Sequence, residues 1–216
     1  MVTAWNAWER WNNKQGFRRS LSQFSQVEKD AFRPMRPYVR GAGEYYILMR
    51  VINSANHSIT NQKDFDELRH EWESKLKPFK EIFFIERNRL RKENIDSWIA
   101  LHDVYDEVIK VMQNLLFQRR LLIATMKDGK SVKIILKKNG IDIPQQNIMD
   151  QSQISSKLEA LNYFVKNKKI KKRELCFIDD NITHLIEPNN VNYNVFLSGW
   201  GNTMEEHKEQ ARKENI

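Results

Sequence analysis

Cysteine, glycine and proline are all scarce in this chain. Its 216 residues include one cysteine, seven glycines and five prolines. So few glycines and prolines argue against a loop-rich all-β protein, because the tight turns between short strands depend on those residues. The lone Cys176 cannot form an intramolecular disulfide, which favours a reducing compartment. Its apolar surroundings, Leu175 to Ile178, predict a buried and inert thiol.

Long apolar runs are missing as well. No stretch approaches the roughly 18 consecutive apolar residues that a membrane helix needs. The start of the chain, Met1 to Asn6, lacks the basic and apolar regions of a signal peptide. Hydrophobic residues nevertheless make up 40% of the chain and aromatic residues 11%, which is enough for a sizeable core. These features predict a soluble, cytoplasmic protein that does not enter a membrane.

The excess of positive charge is diluted along the chain. The formal net charge is +8, but 28 acidic residues are interspersed among 36 basic ones. The densest basic run, Lys166 to Arg173, is interpreted as a solvated turn between a helix and a strand. Nucleic-acid binding through this run is the minor alternative, because basic bias by itself predicts mainly non-specific attraction to phosphates.

Residues 1 to 118 have the periodicity of helices. Trp5, Trp8 and Trp11 recur every three residues, which predicts one packing face along a first helix. Further helices are predicted at Glu44 to Ile52, Asp64 to Lys75, Phe79 to Glu93 and Val104 to Phe117, with an interruption at Pro78. This half of the chain is therefore predicted to be an all-helical module.

From residue 119 to residue 216, short apolar runs alternate with helical segments. Strands are predicted at Leu121 to Thr125, Asn147 to Asp150, Leu175 to Asp179 and Tyr193 to Leu197. Helices are predicted from Ser131 to Lys138, through Leu158 to Phe164, and after Thr203. Strands that alternate with helices predict right-handed crossovers and a parallel sheet covered on both faces. The predicted fold class is therefore α/β.

Two of these strands bring polar groups to the carboxyl edge of the predicted sheet, where open parallel sheets bind ligands. Thr125 ends one strand and Asp179 with Asp180 ends another, while Lys157 lies near the start of a helix that would open onto the same rim. Carboxylate oxygens are suitable ligands for Mg²⁺. A hydroxyl and an ammonium are suitable donors to phosphate oxygens. Together these residues predict a site for a phosphoryl group and Mg²⁺.

Each of these residues has a simpler interpretation when it is taken alone. Thr125 is then a strand-end hydroxyl, and Lys157 is a solvated helix residue. The Asp179–Asp180 pair would be a helix N-cap followed by a first-turn acid. The pair carries more information than the other two, because adjacent carboxylates after an apolar strand repel each other without a cation. The order and spacing of all four residues favour the functional interpretation.

Three short motifs in this half resemble those of haloacid-dehalogenase-superfamily hydrolases. Ile123 to Thr125 is similar to the second motif of the family, Ser156 to Ala160 to the third, and Phe177 to Asn181 to the fourth. The segment Tyr193 to Gly201 is similar to the last strand and its following loop. The resemblance implies a Rossmann-like core with a parallel sheet after residue 118, preceded by a helical cap-like domain.

The resemblance also implies residue roles and a reaction. Thr125 and the backbone N–H of Met126 would bind the transferring phosphoryl group, and Lys157 would stabilise its charge. Asp179 and Asp180 would bind or position Mg²⁺. Thr125 and Lys157, which would contact the phosphoryl group, are the implied catalytic residues. Family members attack phosphate esters with an aspartate, and water then hydrolyses the aspartyl-phosphate. The implied substrate is a small phosphorylated molecule, and the implied cofactor is Mg²⁺.

The chain departs from the family at the nucleophile. Asp-x-Asp at the end of an apolar strand normally precedes the cap, but the only such motif here is Asp64-Phe-Asp66, between polar, helical flanks. Two hypotheses stay open: a truncated reading of a longer hydrolase, or a non-catalytic relative that keeps a phosphate- and metal-binding site or acts as a scaffold. In both, the missing first strand would leave an open seam in the sheet and favour association with a second copy.

Overall fold

The computed structural model of the protein describes residues 1–54 and 57–216. It divides into two compact units, Met1–Asp103 and Val104–Ile216. The division falls earlier than the boundary expected at residues 118/119. The reason is helix α7 (Asp106–Phe117), which packs Ile109, Met112, Leu115 and Leu116 against a core of the second unit.

All the regular secondary structure formed by the described residues of the first unit is helical. Its helices are α1 (Val2–Trp11), α2 (Gln26–Phe32), α3 (Tyr45–Ile52), α4 (Gln62–Glu71), α5 (Glu73–Glu93) and α6 (Ile95–Ile99). Short 3₁₀ turns lie at Leu21–Gln23, Arg33–Tyr38 and Ala42–Glu44. Trp8 is buried, and the rings of Trp8 and Trp11 both contact the ring of Tyr46. The tryptophan face therefore packs inside this unit, as predicted.

The predicted interruption at Pro78 is wrong. Helix α5 runs through Pro78, and the chain breaks instead at Trp72, between α4 and α5. Proline lacks the N–H that would bond to the carbonyl four residues earlier. Pro78 lies in the second turn of α5, so the lost hydrogen bond falls near the start of a long helix. Burial of Phe79 and Phe83 just beyond it offsets that loss.

The second unit alternates helices with short strands. After α7 come β1 (Ile123–Ala124), α8 (Gly129–Lys138), β2 (Ile148–Met149), α9 (Lys157–Lys168), β3 (Cys176–Asp179), α10 (Thr183–Asn190), β4 (Asn194–Leu197) and α11 (Glu205–Lys213). Short 3₁₀ turns precede β2 and β3, at Gln145–Asn147 and Lys172–Glu174. This mixture of helices and parallel strands agrees with the predicted α/β class.

The four strands form two separate parallel pairs. β1 pairs with β2, with Ile123 opposite Ile148, and β3 pairs with β4, with Asp179 opposite Leu197. Across residues 1–54 and 57–216, no strand joins one pair to the other. An open seam is expected from the sequence without a stated position, and the strands of the structure form two pairs, with the strand before Thr125 in one and the strand that carries Asp179 in the other.

A shared apolar core lies beneath both pairs. Ala160, Leu161 and Phe164 of α9 form one cluster with Phe177 of β3, with the α10 N-cap residue Ile182, and with side chains of β2, β4, α10 and α11 (Met149, Val195, Leu185 and Ala211). Ala124 of β1 packs against the same cluster. Both strand pairs are therefore held on one side by the same helices.

The opposite face of β3 and β4 is exposed. Ile178 is 58% exposed and Phe196 is 52% exposed, whereas their neighbours Phe177 and Val195 are buried. Cys176 lies on the exposed face, so the predicted burial of its thiol is wrong. The apolar run around Cys176 does predict a strand, but strand neighbours point to opposite faces. Only the face that carries Phe177 is covered by helices.

The basic run Lys166 to Arg173 connects α9 to β3, as predicted. Lys169 ends the helix with φ at +55°. Lys168 Nζ donates a hydrogen bond to Asn147 Oδ1 at 2.7 Å, and Lys172 Nζ lies over the ring of Tyr193. At least these two cations have partners within their own unit.

In the part of the chain that the structure describes, no helix is long and apolar enough to cross a membrane.

Candidate functional site

The candidate site lies where β1 and β3 end. Thr125 follows β1, and its N–H donates to the carbonyl of Met149 in β2 at 2.9 Å. Asp179 is the last residue of β3, and its carbonyl accepts the N–H of Ser198 after β4 at 2.9 Å. Parallel pairing thus fixes both residues at carboxyl ends of strands, which is the edge where α/β folds bind ligands.

Lys157 joins these two strand ends. It is the first residue of α9, whose N-cap Ser156 accepts the N–H of Glu159. Its side chain is only 7% exposed, and its Nζ donates to the carbonyl of Ala124 at 2.7 Å. The same Nζ lies 3.2 Å from Asp179 Oδ2. A buried ammonium needs such partners, because an unpaired buried charge is very costly.

Asp179 is held on both carboxylate oxygens. Besides Lys157 at Oδ2, its Oδ1 accepts the N–H of Asn181 at 2.9 Å and lies 3.1 Å from His184 Nδ1. Burial would raise the pKa of Asp179, but the hydrogen bond to His184, the charges of Lys157 and His184, and the Asn181 N–H outweigh it. Together they lower the pKa from 3.8 to about 2. Asp179 is therefore a carboxylate at neutral pH.

Asp180 has partners in a different direction from Asp179. Its Oδ2 accepts hydrogen bonds from the backbone N–H of Asn202 at 2.9 Å and from Asn202 Nδ2 at 3.4 Å. Gly201 lies so close that a Cβ there would come within 2.5 Å of the Asp180 Cβ. The two predicted metal ligands, although adjacent in sequence, are thus held by different segments: Asp179 by α9 and α10, and Asp180 by the loop after β4.

Thr125 and Met126 begin the loop from β1 to α8. The Thr125 hydroxyl accepts the backbone N–H of Lys127 at 3.0 Å, so it stabilises the turn of this loop. Asp128 caps α8 by accepting the N–H of Ser131 at 2.8 Å. Because Lys157 bonds to Ala124, the residue before Thr125, the structure brings Lys157, Thr125 and Asp179 to one rim. It gives no contact of Met126 with the other predicted site residues.

Two further residues at this rim are not among the site residues predicted from the sequence. His184 contacts Asp179, and Asp150 after β2 accepts the N–H of Gly129 at 2.6 Å and the N–H of Ser152 at 2.9 Å. Asp150 could have been found, because it follows a predicted strand just as Thr125 and Asp179 do. His184 offers only the weak signal of a histidine five residues after Asp179, in the first turn of α10.

The residues present fit a magnesium ion in part. Mg²⁺ is usually bound by one or two protein carboxylates, with water and phosphate oxygens completing its shell. Asp179 and Asp180 supply that number, but Asp179 is already balanced by Lys157. Over residues 1–54 and 57–216, no group of three or more His, Cys, Asp or Glu side chains is arranged to hold a metal. Water and a ligand would have to supply most of the coordination shell.

The Asp64-Phe-Asp66 motif lies in the first unit, near the start of α4. Asp64 accepts hydrogen bonds from the Thr60 hydroxyl and N–H, and these bonds lower the pKa of Asp64. Asp66 forms an ion pair with Arg40. Both carboxylates thus have partners near the N-terminus of a helix, and the polar, helical flanks expected from the sequence are present.

Comparison of the chain with protein-family models, with curated proteins and with solved structures gives no match.

Proposed function

We propose that the second unit is a haloacid-dehalogenase-like core that binds a small phosphorylated molecule together with Mg²⁺ at the ends of β1 and β3. The observation that carries this proposal is the Lys157 ammonium, which contacts both the Ala124 carbonyl and the Asp179 carboxylate. These contacts join the three motifs on which the resemblance rests. The helical first unit is the cap-like domain of the same proposal.

In this proposal each residue binds either the phosphate oxygens or the metal, according to its functional group. The Lys157 ammonium has three N–H donors, and two acceptors are already in contact with it, so one donor remains for a phosphate oxygen. The Thr125 hydroxyl and the Met126 N–H would bind further phosphate oxygens. Asp179 and Asp180 would hold the metal, which when bound supplies positive charge against the phosphoryl oxygens.

The site resembles sites that hydrolyse phosphate esters, but none of its carboxylates is assigned as the nucleophile. Asp179 is engaged with Lys157 and His184, and Asp180 with Asn202. Neither carboxylate is held in a position that marks it as a nucleophile. This observation favours the second candidate function, a non-catalytic protein that binds phosphate and metal at the same rim.

Thermal unfolding with Mg²⁺ and inorganic phosphate tests the binding proposal. A ligand that binds only the native state increases the free energy of unfolding, by about 2.7 kcal/mol at a ligand concentration one hundred times Kd. The Tm therefore rises with the ligand concentration. We expect a rise for the wild type and for Lys166→Gln, which removes an exposed lysine of α9. The rise should be lost in Lys157→Gln and reduced in Thr125→Val. Equal responses in all four proteins would refute the proposed site.

Release of phosphate from p-nitrophenyl phosphate with Mg²⁺ separates the two candidates. Turnover that disappears in Asp180→Asn would identify Asp180 as an essential carboxylate and overturn the conclusion that the nucleophile is missing. Binding of phosphate and Mg²⁺ without turnover would support the non-catalytic candidate.

A further inference from the structure

The amino ends of the strands lie on the opposite edge of the second unit from the candidate site. α9 begins at the carboxyl ends, where Lys157 contacts Asp179. It ends at the amino ends, where Lys168 Nζ donates to Asn147 Oδ1, just before β2, at 2.7 Å. The basic run Lys166 to Arg173 leads from there to β3. The run therefore lies along the amino edge of the strands, away from the proposed phosphate site.

A second basic segment lies beside this run. Arg119 and Arg120 directly precede Leu121, which leads into β1. The Asn147 side chain donates from Nδ2 to the Leu121 carbonyl at 3.1 Å, and its Oδ1 accepts Lys168 Nζ. One amide thus joins two basic segments that are far apart in the sequence. Together the basic residues of these two segments are called the basic edge.

The charges of the basic edge are not balanced by ion pairs. The edge has eight basic residues, of which seven are exposed. Across residues 1–54 and 57–216, no carboxylate forms an ion pair with any of the eight. Glu174, the acidic residue that follows the run, accepts a backbone N–H of the run instead. In α11, by contrast, Lys208 and Arg212 both contact Glu205. A surface with one sign of charge attracts polyanions.

An exposed aromatic ring lies next to the basic edge. Tyr163 is 40% exposed and lies one helical turn before Lys166 in α9, so both side chains lie on one face of the helix. The bases of a single-stranded nucleic acid stack on such rings while its phosphates contact neighbouring cations. The adjacent exposed residues Asn162 and Asn167 are polar, which disfavours insertion of this face into a membrane.

We infer that the basic edge binds single-stranded nucleic acid, with its cations on the phosphodiester backbone and Tyr163 stacked on a base. The basic run alone makes such binding the minor alternative. The second basic segment, which Asn147 joins to the run, and the neighbouring ring favour it. The inference does not rest on the proposed function, because the two sites lie at opposite edges of the strands.

Fluorescence anisotropy tests the inference on the full chain. The probes are labelled single strands of about 20 nucleotides, one of DNA and one of RNA, with the same mixed sequence. The test variant removes three exposed cations of the basic edge through the substitutions Lys166→Gln, Lys171→Gln and Arg173→Gln.

A matched control removes the same amount of charge elsewhere. It carries Lys14→Gln, Lys75→Gln and Lys77→Gln, at exposed positions of the first unit. The control should bind as the wild type does, whereas the test variant should bind at least about tenfold more weakly. Equal binding by the two variants would overturn the inference, because net charge and not the basic edge would then account for binding. Absence of binding to both probes at low salt would overturn it as well.

The salt dependence gives a second measurement. Each phosphate contact to a single strand contributes about 0.7 to the slope of log K against log salt concentration. The test variant loses three cations, so its slope should be smaller than that of the wild type by about 2. The same slope in both proteins would show that these cations do not contact phosphates, and would contradict the inference.

Three further comparisons separate the alternatives. Tyr163→Leu should weaken binding about fivefold or more and leave the salt slope unchanged, because stacking releases no counterions. Unchanged affinity of this variant, or tighter binding to the duplex of the same sequence, would overturn the assignment of a single strand. Binding to phosphatidylserine vesicles without binding to either oligonucleotide would identify a membrane surface instead. Lys157→Gln should bind the oligonucleotides as the wild type does, so failure at one site is distinguishable from failure at the other.

Discussion

Both units bury carboxylates, but the buried carboxylates of the two units contact different kinds of structural element. In the helical unit, Glu44 receives Arg69 Nε at 2.8 Å and two backbone N–H groups, and Glu86 pairs with Arg10 at 2.9 Å. These contacts connect one helical segment to another. In the second unit, Asp179 lies at a strand end, and its partner Lys157 reaches across a divided sheet. The first arrangement is explained by folding alone, whereas the second occupies the edge where α/β proteins bind ligands.

The two units also differ in how they cover aromatic side chains. The first unit surrounds Tyr46 with the rings of Trp8, Trp11, Trp72 and Phe79, at centroid distances of 5.4 to 6.0 Å. The second unit leaves Phe196 on the exposed face of β4. A closed core thus contrasts with a sheet that has one uncovered face and a seam.

Phe79→Ala should cause the largest loss of stability. Phe79 is fully buried, and truncation of a buried phenylalanine costs about 3–5 kcal/mol, because apolar burial is lost and a cavity is left. The matched change Phe196→Ala should lower the free energy of unfolding by about 0.5 kcal/mol or less, since that ring is 52% exposed. Urea unfolding followed by circular dichroism measures both. Similar losses for both variants would contradict the contrast between a closed core and an open face.

Lys157→Met should destabilise the second unit by about 3 kcal/mol, because it leaves the buried Asp179 carboxylate without its ammonium partner. His184 and the Asn181 N–H remain in contact with Asp179, which places the expected loss at the low end of the range for broken buried pairs. Lys166→Met is the matched control in the same helix, and it should be nearly neutral. A neutral Lys157→Met variant would show that the pair does not hold the strand ends together.

Acid titration should reveal Asp179 as a separate contribution. Its pKa is about 2 in the folded protein and 3.8 without the fold, so the folded state binds fewer protons between these values. The stabilisation is therefore fully present above about pH 4 and is lost as the pH falls toward 2, with a size of about 2 kcal/mol. Asp179→Asn should flatten the pH dependence of unfolding in this window. An unchanged profile would mean that other carboxylates account for the acid sensitivity.

Local patterns in the sequence predict much of this structure, because they depend on near neighbours. The strands before Thr125 and Asp179, the helix that begins near Lys157 and the turn that contains Lys166 to Arg173 all follow from periodicity and capping residues. Continuation of α5 through Pro78 does not, because the packing of Phe79 and Phe83 outweighs a local preference. The exposure of Cys176 depends on which face of a strand is covered, and that is set by distant parts of the chain.

The candidate site was predictable only in part, for the same reason. Strand-end positions single out Thr125 and Asp179, and Ser155 or Ser156 is expected to cap the helix that carries Lys157, with Ser156 as the cap in the structure. The direction in which each side chain points depends on tertiary contacts, which local sequence patterns do not determine. Thus Asp180 faces the Asn202 loop, and His184 becomes a partner of Asp179 only after α10 has packed.

Loss of a helix N-cap should lower the free energy of unfolding by less than the loss of the Lys157 ammonium. The loss should be the same in the two units. Ser156 accepts the N–H of Glu159 at the start of α9, and Asn61 accepts the N–H of Asp64 at the start of α4. Replacement of either residue by alanine should cost about 1 kcal/mol, because one N–H of the first helical turn loses its acceptor. Urea unfolding measures both variants. A clearly larger loss in Ser156→Ala would indicate that the cap also fixes the position of Lys157.

Cys176→Ser should have the smallest effect on stability, within about 0.5 kcal/mol, because the thiol is exposed. A buried cysteine would respond differently, since a hydroxyl in an apolar site needs a hydrogen-bond partner. Alkylation by iodoacetamide under native conditions gives a second readout. The native thiol should react nearly as fast as the thiol of the urea-unfolded chain. Strong protection would show that the face of β3 and β4 is covered in solution, and it would remove the main difference between the two units.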